Sequence, residues 1–423
     1  MVNLPYGRTT IPFDEGGTTV LRSRTDEFGS ARSGEELVRD AMERPFGGAR
    51  LRELARGKRT CTLIVSDHTR PVPSRDILLP MLEELRNGNP QIEITLLVAT
   101  GCHRGTTRAE LAAKLGEAIV STERIVVHDA ENADGNVEIG TLPSGAPLVI
   151  DRIAAGTELL ISEGFIEPHF FAGFSGGRKS VLPGVSDRVT VLGNHCSKFI
   201  DSPLSRAGIL EGNPIHADMV AAAKMAKLAY IVNVVIDEEK RTVAAFAGDP
   251  PEAHAAGCAF LRPFCETFAK PADIVITTNG GAPLDQNVYQ CVKGLSTAEA
   301  AAKDGGVLIM AAECADGVGG DGIYRSLRDC ESVAALYDSF LATPQDETIP
   351  DQWQSQILAR VLRRNRVIFV TGAKLERAIR EMKMEYAPSV DAAFHAARSI
   401  KGGGASVTVI PNGVSMIVRP ITE

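Results

Sequence analysis

Aromatic residues make up only 5% of this 423-residue chain, with a single tryptophan, Trp353. No apolar run approaches the ~20 residues that a helix needs to cross a bilayer, which excludes a helical membrane protein. Lys and Arg are nowhere gathered into a run and the formal net charge is -8. Nucleic acid and anionic membrane surfaces are thereby excluded as main partners, because both call for a concentrated positive face. The eight cysteines, at 61, 102, 196, 258, 265, 291, 314 and 330, contain no C-x-x-C pair. Spacing therefore offers neither a zinc ribbon nor a redox motif, and reduced, mostly buried thiols are expected, including Cys102 and Cys196 beside histidines. The amino-terminus, Met1-Val-Asn-Leu-Pro-Tyr-Gly-Arg, has neither the basic start nor the apolar core of a signal peptide, so a cytoplasmic protein is expected.

What is present is a chain that is 44% hydrophobic and 23% charged, long enough for more than one domain. Eight apolar runs of strand length recur between helical patterns: Cys61–Ser66, Ile92–Thr100, Glu158–Ser162, Tyr230–Ile236, Asp273–Thr278, Gly306–Ala311, Val367–Thr371 and Ala405–Ile410. They are rich in Val, Ile and Leu without alternation, the mark of parallel strands covered by helices on both faces. Thr107-x-x-Glu110 and Ser296-x-x-Glu299 read as capping boxes, and Asn213-Pro214 as an N-cap followed by a first helical residue. Ser74 is expected to cap a segment carrying Ile77, Leu78, Met81, Leu82 and Leu85, with Pro80 bending or splitting it. The polar stretch Phe268-Ala-Lys-Pro-Ala-Asp273 marks the main boundary. The expected fold class is α/β, with two domains of largely parallel sheets covered by helices, residues 1–270 and 271–423, and an active site in the cleft between them.

Ligands of open parallel sheets sit beyond the carboxyl ends of the strands. There the sequence places Asp67-His-Thr69-Arg70-Pro, Gly101-Cys-His103-Arg104, Glu163-Gly-Phe-Ile-Glu167-Pro-His169 and, in the second half, Gly280 through Tyr289-Gln290-Cys-Val-Lys293. The segment Ser175-Gly176-Gly177-Arg178-Lys179-Ser sets flexible backbone beside two cations. It reads either as a phosphate cradle or as a tight turn, and it is not a Walker loop because the G-x-x-x-x-G-K-[ST] spacing is absent. His103, His169 and His195 fall in loops expected to converge, where imidazole carries protons or binds metal. His128, His216, His254 and His395 are read as hydrogen-bonded or surface residues, and His68 as turned away from Asp67 and Thr69. Arg70 and Lys293 fit either solvated surface charges or a carboxylate clamp. Trp353 fits either core or the stacking wall of a flat cofactor.

Taken together, Asp67-His-Thr-Arg70-Pro, Gly101-Cys-His103-Arg104, the segment from Glu167-Pro-His169 to Lys179-Ser-Val-Leu-Pro-Gly184, Asn194-His195 and Pro283-Leu-Asp-Gln-Asn-Val-Tyr289-Gln290-x-x-Lys293 resemble the nickel-dependent lactate racemase family over nearly the whole chain. The resemblance implies a racemase or epimerase of a 2-hydroxy acid, lactate or a related acid such as malate. It implies a nickel pincer nucleotide joined covalently to Lys179, with His195 as nickel ligand and Gly176 and Gly177 beside the cofactor. His103 and His169 would be the two acid/base residues. Arg70, Gln290 and Lys293 would hold substrate, and Asp67, Thr69, Tyr289 and Trp353 would line the cofactor. Separate biosynthetic enzymes would have to supply that cofactor. The rival readings are a zinc-type hydrolase or hydratase built on His103, His169 and His195, and a non-catalytic carrier of a nucleotide cofactor.

Overall fold

A computed structural model describes residues 1–28 and 32–421. All eight apolar runs are strands, divided between two six-stranded sheets. The first runs in the order Thr242–Gly248, Leu228–Ile236, Leu159–Phe165, Thr60–Ser66, Glu93–Ala99 and Arg124–Val127. It is parallel except for its edge strand Thr242–Gly248. The second runs Glu385–Ala387, Arg366–Val370, Ala302–Ala311, Ala272–Thr278, Val407–Ile410 and Thr19–Val20, parallel throughout. Strand Leu159–Phe165 is buried at every residue and Thr60–Ser66 at all but its ends, which is why these strands read as unbroken apolar runs. Each such Leu, Ile or Val contributes about 1.5–3 kcal/mol by leaving water.

Strand order fixes where a ligand can lie. In the first sheet the chain builds outward from Thr60–Ser66 in one direction through Glu93–Ala99 and Arg124–Val127, then returns to add Leu159–Phe165 on the other side. In the second it builds from Ala272–Thr278 through Ala302–Ala311 and Arg366–Val370, then adds Val407–Ile410 on the opposite side. Loops leave a sheet in opposite directions at such a reversal and open a crevice there. Strand Glu266–Ala269, just before the expected boundary, pairs in parallel with the last strand, Ile417–Pro420, so the chain's end returns to the junction.

Several local expectations are corrected. Ser296 and Glu299 do not start a helix: they lie within helix Val288–Ala300, whose N-cap is Asn287, with its side chain accepting the Gln290 amide. Glu299 instead pairs with Arg360. Ser74 is the first helical residue, not its cap, and its hydroxyl donates to Glu163 at 2.7 Å. Helix Ser74–Gly88 continues through Pro80 as one element. Ile77, Leu78, Met81, Leu82 and Leu85 are all buried, and that packing offsets the ~3 kcal/mol an interior proline costs. Glu163 is a buried strand residue, because Leu159–Phe165 extends past the expected end at Ser162. The first twenty residues belong with the second sheet. Strands Val2–Tyr6 and Thr9–Phe13 form a hairpin that packs Val2, Leu4 and Phe13 against Ile274 and Ile276, and Thr19–Val20 joins the sheet's edge. The Thr107 capping box and the Asn213 cap form as expected. Among the described residues no helix is long and apolar enough to cross a membrane.

Candidate active site

The loops at the two reversals face one another across a cleft of about 530 Å³ whose wall includes Arg70, Glu167, His169, Lys179 and Lys293. Four of these are residues the sequence singles out for chemistry, three from the first half of the chain and one from the second. Glu167 is the exception, a neighbour of His169 that no spacing rule marks.

Asp67 follows strand Thr60–Ser66 and is buried. Its carboxylate accepts from His103 Nδ1 at 2.8 Å and from the Thr69 hydroxyl at 2.8 Å. Burial opposes ionisation there, but the His103 bond and the positive charges of His103 and Arg70 outweigh it and hold the carboxyl down at about 2. An ionised Asp67 fixes the His103 ring with its proton on Nδ1 and leaves Nε2 free to take a proton. Although the His103 side chain is 37% exposed, desolvation lowers its pKa, Asp67 opposes the shift, and Arg70 and Lys293 add to it. His68 does turn away, bonding Thr106 through Nδ1 at 3.1 Å.

A second group forms around Phe171, which sequence reasoning missed because a phenylalanine carries no chemical signature. The His169 and His195 rings meet the Phe171 ring edge-on at 4.5 and 5.0 Å, and Lys179 Nζ lies 5.8 Å from its centroid. His169 Nδ1 accepts the Ala172 amide at 3.2 Å, so a neutral ring carries its proton on Nε2, which faces Lys179 Nζ at 3.5 Å. Only an unprotonated amine can accept at that contact. The electrostatics agree: burial, then the charges of Arg178, Arg70 and Lys293, push the Lys179 pKa well below its ordinary value. Burial, then the charges of Lys179, Lys293 and Arg70, lower His169 as well. A buried neutral amine is a nucleophile.

His195 ends helix Arg188–Asn194 and is buried. Its Nδ1 is buried with no hydrogen-bond partner, and the ring lies edge-on to Trp353 at 5.1 Å. Burial drives its pKa down to about 3, with Lys179 adding to the shift. A neutral, unpartnered imidazole between two aromatic rings has the chemistry of a metal ligand. The residues on either side of it are held from the second half of the chain: Gln345 Nε2 donates to the Gly193 carbonyl at 2.9 Å and Gln356 Nε2 to the Ser197 carbonyl at 3.1 Å.

The glycine loop does not present all its amides outward. The Gly177 amide donates to Asn233 Oδ1 at 2.7 Å, so the phosphate-cradle reading loses that donor. A Cβ on Gly176, at φ +79°, would lie 2.7 Å from Asn233 Oδ1 and 2.9 Å from the Phe165 carbonyl. Close approach of backbone explains this glycine. Gly176→Ala is expected to cost about 1–3 kcal/mol of stability through strain and displacement of the loop; an unchanged denaturant midpoint would contradict this. Arg178 sits beneath, without a carboxylate, donating to the carbonyls of Ala172, Ser175 and Gly176 and to His216 Nδ1 and His254 Nε2. The structural reading of His216 and His254 therefore stands, as does that of His128, which bonds Asp151 and the Ser186 carbonyl.

Tyr289, Gln290 and Lys293 occupy the first turns of helix Val288–Ala300. Gln290 and Lys293, three apart, share one face. Neither Arg70 nor Lys293 has a side-chain hydrogen bond or ion pair among the described residues. Burial, with Arg70 adding and Glu167 opposing, brings Lys293 down to about 8. No group of three or more His, Cys, Asp or Glu placed to share an ion occurs among the described residues, so the three-histidine zinc site is not built.

Residues 6–208 match the family profile described as the lactate racemase N-terminal domain, and residues 267–418 that of the lactate racemase C-terminal domain. The chain belongs to the lactate racemase family. It is 50% identical to the lactate racemase of Thermoanaerobacterium thermosaccharolyticum and 48% identical to that of Lactiplantibacillus plantarum, over 99% of each chain. The solved apoprotein of the former superposes with a TM-score of 0.96 over 99% of both chains. A Thermotoga maritima protein 18% identical, with a TM-score of 0.65, shares the fold over 91% of this chain. The family is one of isomerases, and the cleft described above is its candidate active site in this chain.

Proposed function

We propose that this protein inverts C2 of lactate or a related 2-hydroxy acid. In this reading residues 1–270 and 271–423 form its two units, with the amino-terminal hairpin lent to the second. Lys179 would hold a nickel pincer nucleotide covalently and His195 would ligate its nickel, while Asp67, Thr69, Gly176, Gly177, Tyr289 and Trp353 lie beside it. The observation that carries this is the half-buried Lys179, its Nζ 3.5 Å from His169 Nε2 in a cleft shared with the unpaired Arg70 and Lys293, with the unpartnered His195 across Phe171.

When bound, such a group supplies a reversible hydride acceptor, which suits a C2 hydrogen barely acidic next to a carboxylate. The chain's own residues do the rest. Arg70 and Lys293 bind the substrate carboxylate, Arg70 as a planar fork and Lys293 as a point charge, with Gln290 one turn earlier on the Lys293 helix. His103 and His169 each exchange a proton with the C2 oxygen, one for each stereoisomer. Asp67 keeps His103 in the tautomer whose Nε2 can accept that proton.

Two measurements test the reading. Protein made in a host lacking the cofactor's biosynthetic enzymes should carry no adduct and no activity, and nickel salt alone should not restore either. Full activity in nickel salt alone would overturn it. The pH profile follows from Lys293: at about 8 its ammonium deprotonates, so the clamp loses a charge and KM for lactate should rise as pH climbs through 8 while remaining flat below about 7. Lys293→Arg should abolish that rise, because a guanidinium stays charged; a KM that does not change between about pH 7 and pH 9.5 in the original protein would contradict the assignment.

A further inference from the structure

Glu167 stands at the wall between two cavities. It lines the active-site cleft with Arg70 and Lys293, and it also lines a neighbouring cavity with Asp237, Glu238 and Lys240. Its backbone is fixed by Ser175, whose amide donates to the Glu167 carbonyl at 2.9 Å and whose Oγ accepts the Glu167 amide at 3.0 Å. Its carboxylate makes no hydrogen bond or ion pair among the described residues. Asp237 on the far side is already paired with Arg241, so it does not complete the balance of the active-site cleft.

The active-site cleft thus holds three chargeable groups with no hydrogen-bonded partner of their own, Arg70, Lys293 and Glu167; burial raises the Glu167 carboxyl, and the charges of Lys293 and Arg70 oppose that shift. Lys179 adds no charge, since its amine accepts from His169. An acid with one carboxylate can set it between Arg70 and Lys293. An acid with two must hold its second negative charge in the same cleft as Glu167, in a site where poor solvation magnifies the repulsion.

We propose that Glu167 is a specificity-determining residue that restricts this enzyme to 2-hydroxy acids with one carboxylate and an uncharged substituent, and rejects dicarboxylates such as malate. The inference rests on the reading that Arg70 and Lys293 hold the substrate carboxylate. It is a case of selection by a repulsive element built into the site.

The test uses active enzyme, with acetate and malonate as inhibitors of lactate racemisation and malate as alternative substrate. The original protein should bind malonate no more tightly than acetate and should prefer lactate to malate. Glu167→Gln, nearly isosteric and facing a cavity, should raise the malate-to-lactate ratio of kcat/KM and tighten malonate relative to acetate, each by about tenfold or more. Glu167→Asp keeps the charge and should keep the original preference. The proposal is overturned if the original protein binds malonate tenfold tighter than acetate, if Glu167→Gln leaves both ratios unmoved, or if Glu167→Asp shifts them as Gln does. Arg70→Ala separates the two levels. Acetate inhibition unchanged in Arg70→Ala would remove the clamp and this inference with it, whereas acetate inhibition lost there but ratios unmoved by Glu167→Gln would remove this inference alone.

Discussion

Lys179→Ala is expected to yield folded protein with no covalent adduct and no racemase activity, even when made alongside the cofactor's biosynthetic enzymes. The lysine sits in the short turn Gly177–Ser180 at the cleft wall, where its amine is desolvated and flanked by cations. Removing it opens no core cavity, so the melting temperature should hold. Lys179→Arg should fail equally, because a guanidinium cannot become a neutral nucleophile at any accessible pH. Intact-mass measurement decides between the outcomes: a full-stoichiometry adduct on the Ala variant would remove the tether from Lys179.

Replacing His103 or His169 by Ala should suppress net racemisation in both directions by roughly 10²–10⁴, the usual worth of a positioned general acid or base. Inversion consumes a proton-transfer step from each, so neither loss can be rescued by starting from the other enantiomer. A half-reaction should survive with opposite bias in the two variants: one still forms bound 2-keto acid from the L substrate, the other from the D. Rapid-mixing absorbance with trapping of the keto acid would record it. The two sites differ in support, His103 resting on ionised Asp67 and His169 on a backbone amide. Asp67→Asn should therefore impair only the half-reaction that uses His103. Racemisation at the original rate in both histidine variants would return them to a structural role.

Much of the frame was legible because its signals are local. Eight Val, Ile and Leu runs became strands since burial on both faces of a parallel sheet demands continuous apolarity, and Thr107 and Asn213 cap their helices through bonds that span three residues. Ser296 misled for the same locality: the motif fits a helix start, yet Asn287 begins the helix nine residues earlier and Arg360, remote in sequence, claims Glu299. Pro80 misled because packing of its helix's apolar face outweighs a missing amide. The short edge strands Thr19–Val20 and Glu385–Ala387 were invisible, being too brief for any periodicity.

By itself the sequence determined the α/β class, the loops that carry Asp67, Arg70, His103, His169, Lys179, His195 and Lys293, and, by the spacing of those motifs, membership of the lactate racemase family. It did so because strand ends, caps and motifs are written in consecutive residues. Only the tertiary structure decided which of these share a cleft, that the amino-terminal hairpin packs on the second sheet and Thr19–Val20 joins its edge, that Phe171 unites His169, Lys179 and His195, and that Glu167 faces Arg70 and Lys293. Apart from the short-range contacts of Phe171 with His169 and Lys179, those are contacts between residues tens to hundreds of positions apart. They depend on strand order and on desolvation, which turns a common Lys or Glu into a neutral amine or an unpartnered anion only once the chain has closed around it.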